Sequence, residues 1–431
     1  MATNAFRGAR LAVAVALSLL AAVPALAEPQ HISLQQAVDA ALQNNPELVS
    51  LRKETGILDA AAVRAGVIPN PTLDVEAATG ALTGSSDDSN LSLGISQEFL
   101  LGDKRLKRRA VAERDLAAYR WLVADRERAL KEQVQAAYCD VLLARERVGL
   151  ARHSIELNKQ LLQVAEDRLA AGDIPELEMY LVRVELTRSE GNLIELQRGV
   201  LDNSAKLFAL MALPPTASPV LSGTLNGKDV AIKGVGELKQ VAMQDRPDLK
   251  ALHAAMQKSD AEVALAEAEG IPNLTAGISL SRDASSMEIG GVTGRETSYT
   301  IGVRFSMPIP VFDRNQAGQQ EARAKRSGAG IRLQGAAAGV EREVESAHAS
   351  LANAEKVLSL YRSDILRQLD ENLKLTQEAY RLGEVGILAV IEEQKKYFEV
   401  SDSYLAALHA RQVAFNRLES AVAADINGGA Q

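Results

Sequence analysis

Four stretches of the chain alternate apolar and polar residues with a period of two, the mark of a strand with two unlike faces. Leu73, Val75 and Ala77 alternate with Thr72, Asp74 and Glu76, and Leu91, Leu93 and Ile95 with Ser92, Gly94 and Ser96. Further on, Leu274, Ala276, Ile278 and Leu280 alternate with Thr275, Gly277 and Ser279. Tyr299, Ile301, Val303 and Phe305 alternate with Thr300, Gly302, Arg304 and Ser306. Gly/Ser/Asp-rich segments, Thr83 to Asn90 and Arg282 to Thr297, read as the loops that join each pair, with Gly290-Gly291 in the second. Each run is about 9 residues, near the ~9–11 that a tilted strand needs to cross a bilayer. Lipid on the apolar face and water on the polar face would suit a transmembrane barrel. The other reading of the alternation is an ordinary half-buried hairpin. Four strands cannot close a barrel, and lipid does not tolerate open edges. A membrane role therefore requires several copies, and three would supply about twelve strands, an even number within the known range.

A second period runs through the rest. Val134, Ala137, Val141, Ala144, Val148, Ala151 and Ile155 follow 3–4 spacing, and the pattern returns at Val344, Ala347, Leu351, Ala354, Leu358, Tyr361 and Ile365. This is a coiled-coil seam, and its alanines allow close helix approach. A helix from Lys104 to Ala171 would run on the order of 100 Å at ~1.5 Å per residue. Shorter helices are expected over Val38 to Val67 and Glu176 to Ala212, and in the second half over Glu237 to Glu269, Arg314 to Leu382 and Leu388 to Ala424. The two short helices of a half together match its long one, so stacking them end to end gives a rod with strands at one end and a glycine turn at the other.

The two halves repeat one another. Asn45-Pro46-Glu47-Leu48 is echoed by Arg246-Pro247-Asp248-Leu249, and Pro71-Thr72-Leu73 by Pro272-Asn273-Leu274. Arg168-Leu169-Ala170-Ala171-Gly172-Asp173-Ile174 is echoed by Ala379-Tyr380-Arg381-Leu382-Gly383-Glu384-Val385. The expected organisation is a signal peptide over 1–27, a first repeat over 28–213, a linker over 214–236, a second repeat over 237–425 and a disordered tail over 426–431. The fold class is mainly α with a small β part.

Composition narrows this further. Arg7 and Arg10 precede an apolar run from Leu11 to Ala22, and Ala25-Leu26-Ala27 offers a small-x-small cleavage site. The run is too short for a ~30 Å hydrocarbon core and reads as a secretory signal. Without those two arginines the basic residues number 46 against 56 acidic ones, which disfavours nucleic acid as a partner. Cys139 is the only cysteine, so no intramolecular disulfide can form. The five histidines (His31, His153, His253, His348, His409) lack ligand spacing, the methionines are scattered and no phosphate-cradling loop is present, so no catalytic residue, metal site or cofactor is expected. The basic cluster Lys104 to Arg109 reads as a solvated helix start, with lipid phosphate contact as its alternative.

With Ile68-Pro69-Asn70-Pro71-Thr72-Leu73 before the first strand and Met307-Pro308-Ile309-Pro310-Val311-Phe312-Asp313-Arg314-Asn315-Gln316 after the fourth, the chain resembles the TolC-like outer-membrane efflux family. The second motif is similar to the branch serving heavy-metal (cobalt–zinc–cadmium) pumps of the resistance-nodulation-division type. The resemblance covers the chain beyond the signal segment. It implies a homotrimer in the outer membrane of a Gram-negative bacterium, with one barrel continuing into a helical periplasmic tunnel. It implies a passive duct for heavy-metal cations, fed by a proton-driven inner-membrane pump through a periplasmic adaptor. Carried over by position, the adaptor-contacting tips are Gly172, Asp173 and Ile174, and Gly383, Glu384, Val385 and Gly386. The periplasmic gate acids fall on Glu178 and Glu392. A second ring acid of such proteins falls on Ala389, where this sequence departs. A duct for drugs or for type I protein secretion stays open within the same fold. Outside it, the other reading is a soluble periplasmic coiled-coil adaptor whose strands have no lipid role.

Overall fold

The computed structural model describes residues 31–82, 85–214, 219–225, 233–362 and 364–426. The expected signal segment 1–27 lies outside them, as do 427–431 of the expected tail and parts of the expected linker. The chain folds as two compact units. The described residues of the first lie within Met1–Ala41, Val134–Gly227 and Tyr361–His409; those of the second lie within Leu42–Gln133, Lys228–Leu360 and Ala410–Gln431. Each unit draws on both repeats, so the duplication divides the chain in sequence while the units divide it in space.

In chain order, β1 (His31–Ile32), α1 (Leu34–Asn44) and α2 (Pro46–Ala65) lead to β2 (Thr72–Gly80), β3 (Ser85–Phe99), α3 (Lys104–Ala171) and α4 (Glu176–Leu210). After β4 (Val220–Leu221) come α5 (Val235–Asp245), α6 (Pro247–Glu269), β5 (Leu274–Ile289) and β6 (Val292–Ser306). The chain continues through α7 (Gln316–Arg362), α8 (Ile365–Arg381) and α9 (Ile387–Val422). Helix α3 has the expected bounds. The other helices differ where the backbone cannot continue. Proline at 46 and 247 lacks the N–H and clashes with the preceding turn, so each single helix expected there is two. The helix expected over Arg314 to Leu382 breaks at Asp364, which sits at φ +47°. At the first break Asn45 caps α2, its Oδ1 accepting from the backbone N of Glu47 and Leu48 at 3.1 and 3.2 Å. Arg246 holds the matching place in the second repeat and forms no such cap.

In the second unit the four long strands form one antiparallel sheet in the order β2-β3-β5-β6, leaving β2 and β6 as its edges. The expected loop over Arg282 to Thr297 is strand: β5 and β6 continue to a two-residue turn at Gly290-Gly291, with φ +63° and +84°. Positive φ at both central residues matches the right-handed twist of the flanking strands. Asn90 donates to Asp283 and Arg295 pairs with Asp87, so residues that favour turns in isolation are held in a ladder here. The unit's helical core joins Leu238, Leu249, Val344, Leu351, Phe415 and Leu418. Ile426, expected to begin the tail, is only 8% exposed and packs into that core.

In the first unit the seam residues Val134, Val141, Ala144, Val148, Ala151 and Ile155 of α3 are buried. Within the span expected to be a linker, β4 pairs in parallel with β1, and Tyr138 fastens the pair by donating to the carbonyls of Ile32 and Ser222. A second core joins Leu161, Ala165, Ile174, Val182, Tyr380 and Ile387 beneath the two helical turns.

Candidate functional site

Two features of the structure bear on function. The first is the sheet. Its register aligns Val75, Leu93, Leu280 and Ile301 in one row across the strands, and Leu73, Ile95, Ile278 and Val303 in the next. All eight point to one face, since period-two side chains in register share a side. They are exposed, Ile301 at 80%, and form a continuous apolar surface. The other face carries Asp74, Ser96 and Ser279, with Ser96 Oγ donating to Asp74 Oδ2 at 3.0 Å. An apolar surface of this breadth belongs in lipid or against a partner. Among the described residues no helix is long and apolar enough to cross a membrane.

The second feature is the pair of turns in the first unit. Gly172 and Gly383 sit at φ +79° and +82°, the left-handed conformation that closes a helix C-terminus. The turn amides bond back to the last helical turn, Asp173 N to Arg168 O and Glu384 N to Ala379 O, both at 2.9 Å. Ile174 is buried; Asp173, Glu384 and Gly386 are exposed and Val385 half-buried.

The two acids expected at a gate sit in different surroundings. Glu178 is half-buried and accepts from the Tyr380 hydroxyl at 3.4 Å, while Glu392 is exposed on the first turns of α9. Arg168 donates to Tyr380 O at 2.7 Å and stacks 4.9 Å from its ring centroid, so Arg168, Tyr380 and Glu178 form a clasp linking the two hairpins. Burial, and then the Glu178 charge, push the Tyr380 hydroxyl up to about 12 against the opposing pull of Arg168. In the sequence Arg168 and Tyr380 are only marks of the repeat. An arginine one turn before Gly172 and a tyrosine one turn before Gly383 are the available signal, and only their partners give it meaning.

A crevice of about 640 Å³ lies among α3, α4 and α9 of this unit. Arg147 binds Asp402 across it by two bonds of 2.6 and 3.0 Å. Lys395 and Arg188 both approach Glu185, at 3.7 and 3.5 Å, so one carboxylate there faces two cations. Among the described residues no group of three His, Cys, Asp or Glu is placed to hold a metal ion.

A sheet with one broad apolar face, and long helices that end in glycine turns, fit a membrane conduit. The family model for outer membrane efflux proteins matches residues 37–213 and 238–424, and the chain belongs to that family. It is an efflux channel of the Gram-negative outer membrane with a periplasmic tunnel. The cobalt-zinc-cadmium resistance protein CzcC of Cupriavidus metallidurans is 25% identical over 88% of this chain and 86% of its own length. The pyoverdine export outer membrane protein OpmQ of Pseudomonas putida is 24% identical over 88% of this chain and 82% of its own. In fold, the Campylobacter jejuni CmeC outer membrane channel superposes with a TM-score of 0.74 at 16% identity, covering 90% of this chain and 85% of that one.

Proposed function

We propose that the protein is the exit duct of a tripartite, proton-driven pump that exports heavy-metal cations, working as a homotrimer. The observation that carries the reading is the sheet: an apolar face made for lipid with two unpaired edges, β2 and β6. In lipid each unpaired backbone group costs several kcal/mol. Pairing β6 of one copy with β2 of the next keeps the antiparallel order, and three copies close a ring of about twelve strands within the range of known barrels. The metal cargo rests on the motif after β6 and on relatives named for cobalt, zinc, cadmium and nickel resistance.

The glycine tips, Gly172 to Ile174 and Gly383 to Gly386, are the surface offered to a periplasmic adaptor, and that adaptor connects the duct to an inner-membrane pump of the resistance-nodulation-division type. Glu392, exposed and one turn from Ala389, is the gate acid that three copies bring together. Glu178 holds the tips shut through Tyr380.

Deleting the gene in a strain without paralogues should lower tolerance to zinc, cobalt and cadmium together, measured as growth inhibition. The relative named for pyoverdine export gives the competing cargo its own arm. Unchanged metal tolerance with a loss of pyoverdine export would reject the metal reading and keep the duct.

A further inference from the structure

The helix divides the basic cluster at the start of α3. Lys104 is buried and turns to the polar side of the sheet: its Nζ donates at 2.6 Å to Asn273, which donates at 2.7 Å to Glu98. Arg105, Leu106 and Arg109 are exposed and lie within about 100° of one another around the helix. Both arginines reach the C-terminal end of α2. Arg105 Nη1 donates to Gly66 O at 3.4 Å, and the Arg109 stem lies 3.3 Å from where a Cβ on Gly66 would stand. Just beyond, Val67 and Ile68 are exposed, as is Leu106 on α3. Gln97 Nε2 donates to Pro69 O at 2.8 Å, and Gln97 shares the face of Leu93, Ile95 and Phe99. The segment after α2 therefore follows the apolar side of the sheet.

Depth places this corner. From Leu91 to Phe99 the apolar face extends about 26 Å along β3 at ~3.3 Å per residue, or about 20 Å of depth at the tilt of a barrel strand. That nearly fills the ~25 Å apolar band of such a barrel, so the residues that follow stand at the level of lipid headgroups. They lie on the helical side of the sheet, which is periplasmic, where the leaflet is phospholipid. The second repeat leaves the sheet in the same way, with Phe312, 92% exposed, and the exposed Arg314 following β6.

Charge favours an anion there. Arg105 has no acid partner among the described residues, and Arg109 meets Glu113 through Nε in a pair more than half exposed on both sides. Exposed pairs of that kind are worth little, so both guanidiniums have N–H groups to offer. Their planar fork matches the oxygens of a phosphate. The apolar side chains beside them match acyl chains, which a free phosphate lacks.

We propose that this corner seats an anionic phospholipid of the periplasmic leaflet, its phosphodiester on Arg105 and Arg109 and its upper acyl chains on Leu106, Val67 and Ile68. The seat fixes the depth of the channel where strand becomes helix. It depends on the outer-membrane location, and on neither the cargo nor the number of copies.

The test uses the full-length protein purified in detergent, with retained lipid counted by native mass spectrometry after adding phosphatidylglycerol or phosphatidylcholine of the same chains. The wild-type protein should retain phosphatidylglycerol at least about fivefold over phosphatidylcholine, the effect of one cation near an anionic headgroup. Arg105→Gln with Arg109→Gln should lose that preference, and Arg342→Gln, far along α7, should keep it. Arg105→Lys with Arg109→Lys should recover part of it. No recovery would mark a folding defect instead of a lost charge and overturn the assignment. Equal retention of the two lipids by the wild-type protein, or an unchanged preference in the glutamine pair, would overturn it as well. Displacement of the lipid by millimolar inorganic phosphate would identify a free-anion site and overturn the lipid as occupant.

Discussion

Glu178 and Glu392 are alike in sequence, each an acid a few residues past a glycine turn, and their surroundings separate them. Glu178 is tied to Tyr380 while Glu392 faces solvent, so charge changes at the two should have different outcomes. Glu392→Lys should invert or abolish cation preference in single-channel currents, because like carboxylates gathered at a constriction set the local field. Glu178→Gln should leave the preference and raise the open probability by loosening the clasp. Identical currents in both variants would remove the acids from the gate. Tyr380 bears on the pH range of that clasp. A hydroxyl whose folded pKa is raised to about 12 contributes stability that is full below the ordinary tyrosine value and lost as pH climbs through the folded one. The Tyr380 hydroxyl therefore keeps its proton across the physiological range. None of this was legible from residue identities, since an acid after a helical turn reads the same whether it is free or held.

At the scale of elements, the break between α5 and α6 shows how the repeats diverged. Asn45 caps its helix through backbone amides, whereas Arg246, 4% exposed, turns inward and binds Asp248 and Glu343 at 2.7 and 2.6 Å, with Ala421 O at 3.1 Å. Burial alone would raise the Asp248 pKa, but the Arg246 hydrogen bonds and charge outweigh it and hold the carboxyl below the ordinary aspartate range. A depressed carboxylate adds stability above its unfolded pKa and gives it up as pH falls through the folded value, so the helical part of the second unit should weaken below about pH 4. Arg246→Met should lower stability by roughly 2–3 kcal/mol, less than a fully buried pair because both acids keep partial contact with solvent. It should also flatten the acid limb of the melting temperature against pH. An unchanged limb would show that other carboxylates govern it. The break itself was legible through Pro46 and Pro247, because a missing N–H is a local fact. The inward turn of Arg246 was hidden, because two of its three partners, Glu343 and Ala421, lie 97 and 175 residues away.

For the whole molecule, one sheet face must meet lipid and the other water, which makes paired substitutions diagnostic. Val303→Arg places a charge in the apolar row and should cost roughly 2–4 kcal/mol if that row lies at the bilayer midplane. Ser279→Arg, on the opposite face, should assemble normally, with heat-modifiable trimers as the readout. Equal assembly of both variants would contradict a lipid-facing role for the row. The strands themselves were legible, because period-two alternation is a direct consequence of backbone geometry. Their full length was not: Ser, Asp and Gly at 85–90 and 282–297 favour turns locally, and cross-strand pairing overrode that preference. The two-residue strands β1 and β4 are too short to show any period. By itself, then, the sequence determined the seam, the strand faces, the glycine turns and the duplication, all of which follow from spacing along one chain. Only the tertiary structure decided which acid is clasped and where Arg246 turns, because each depends on what residues far apart in sequence bring within bonding distance.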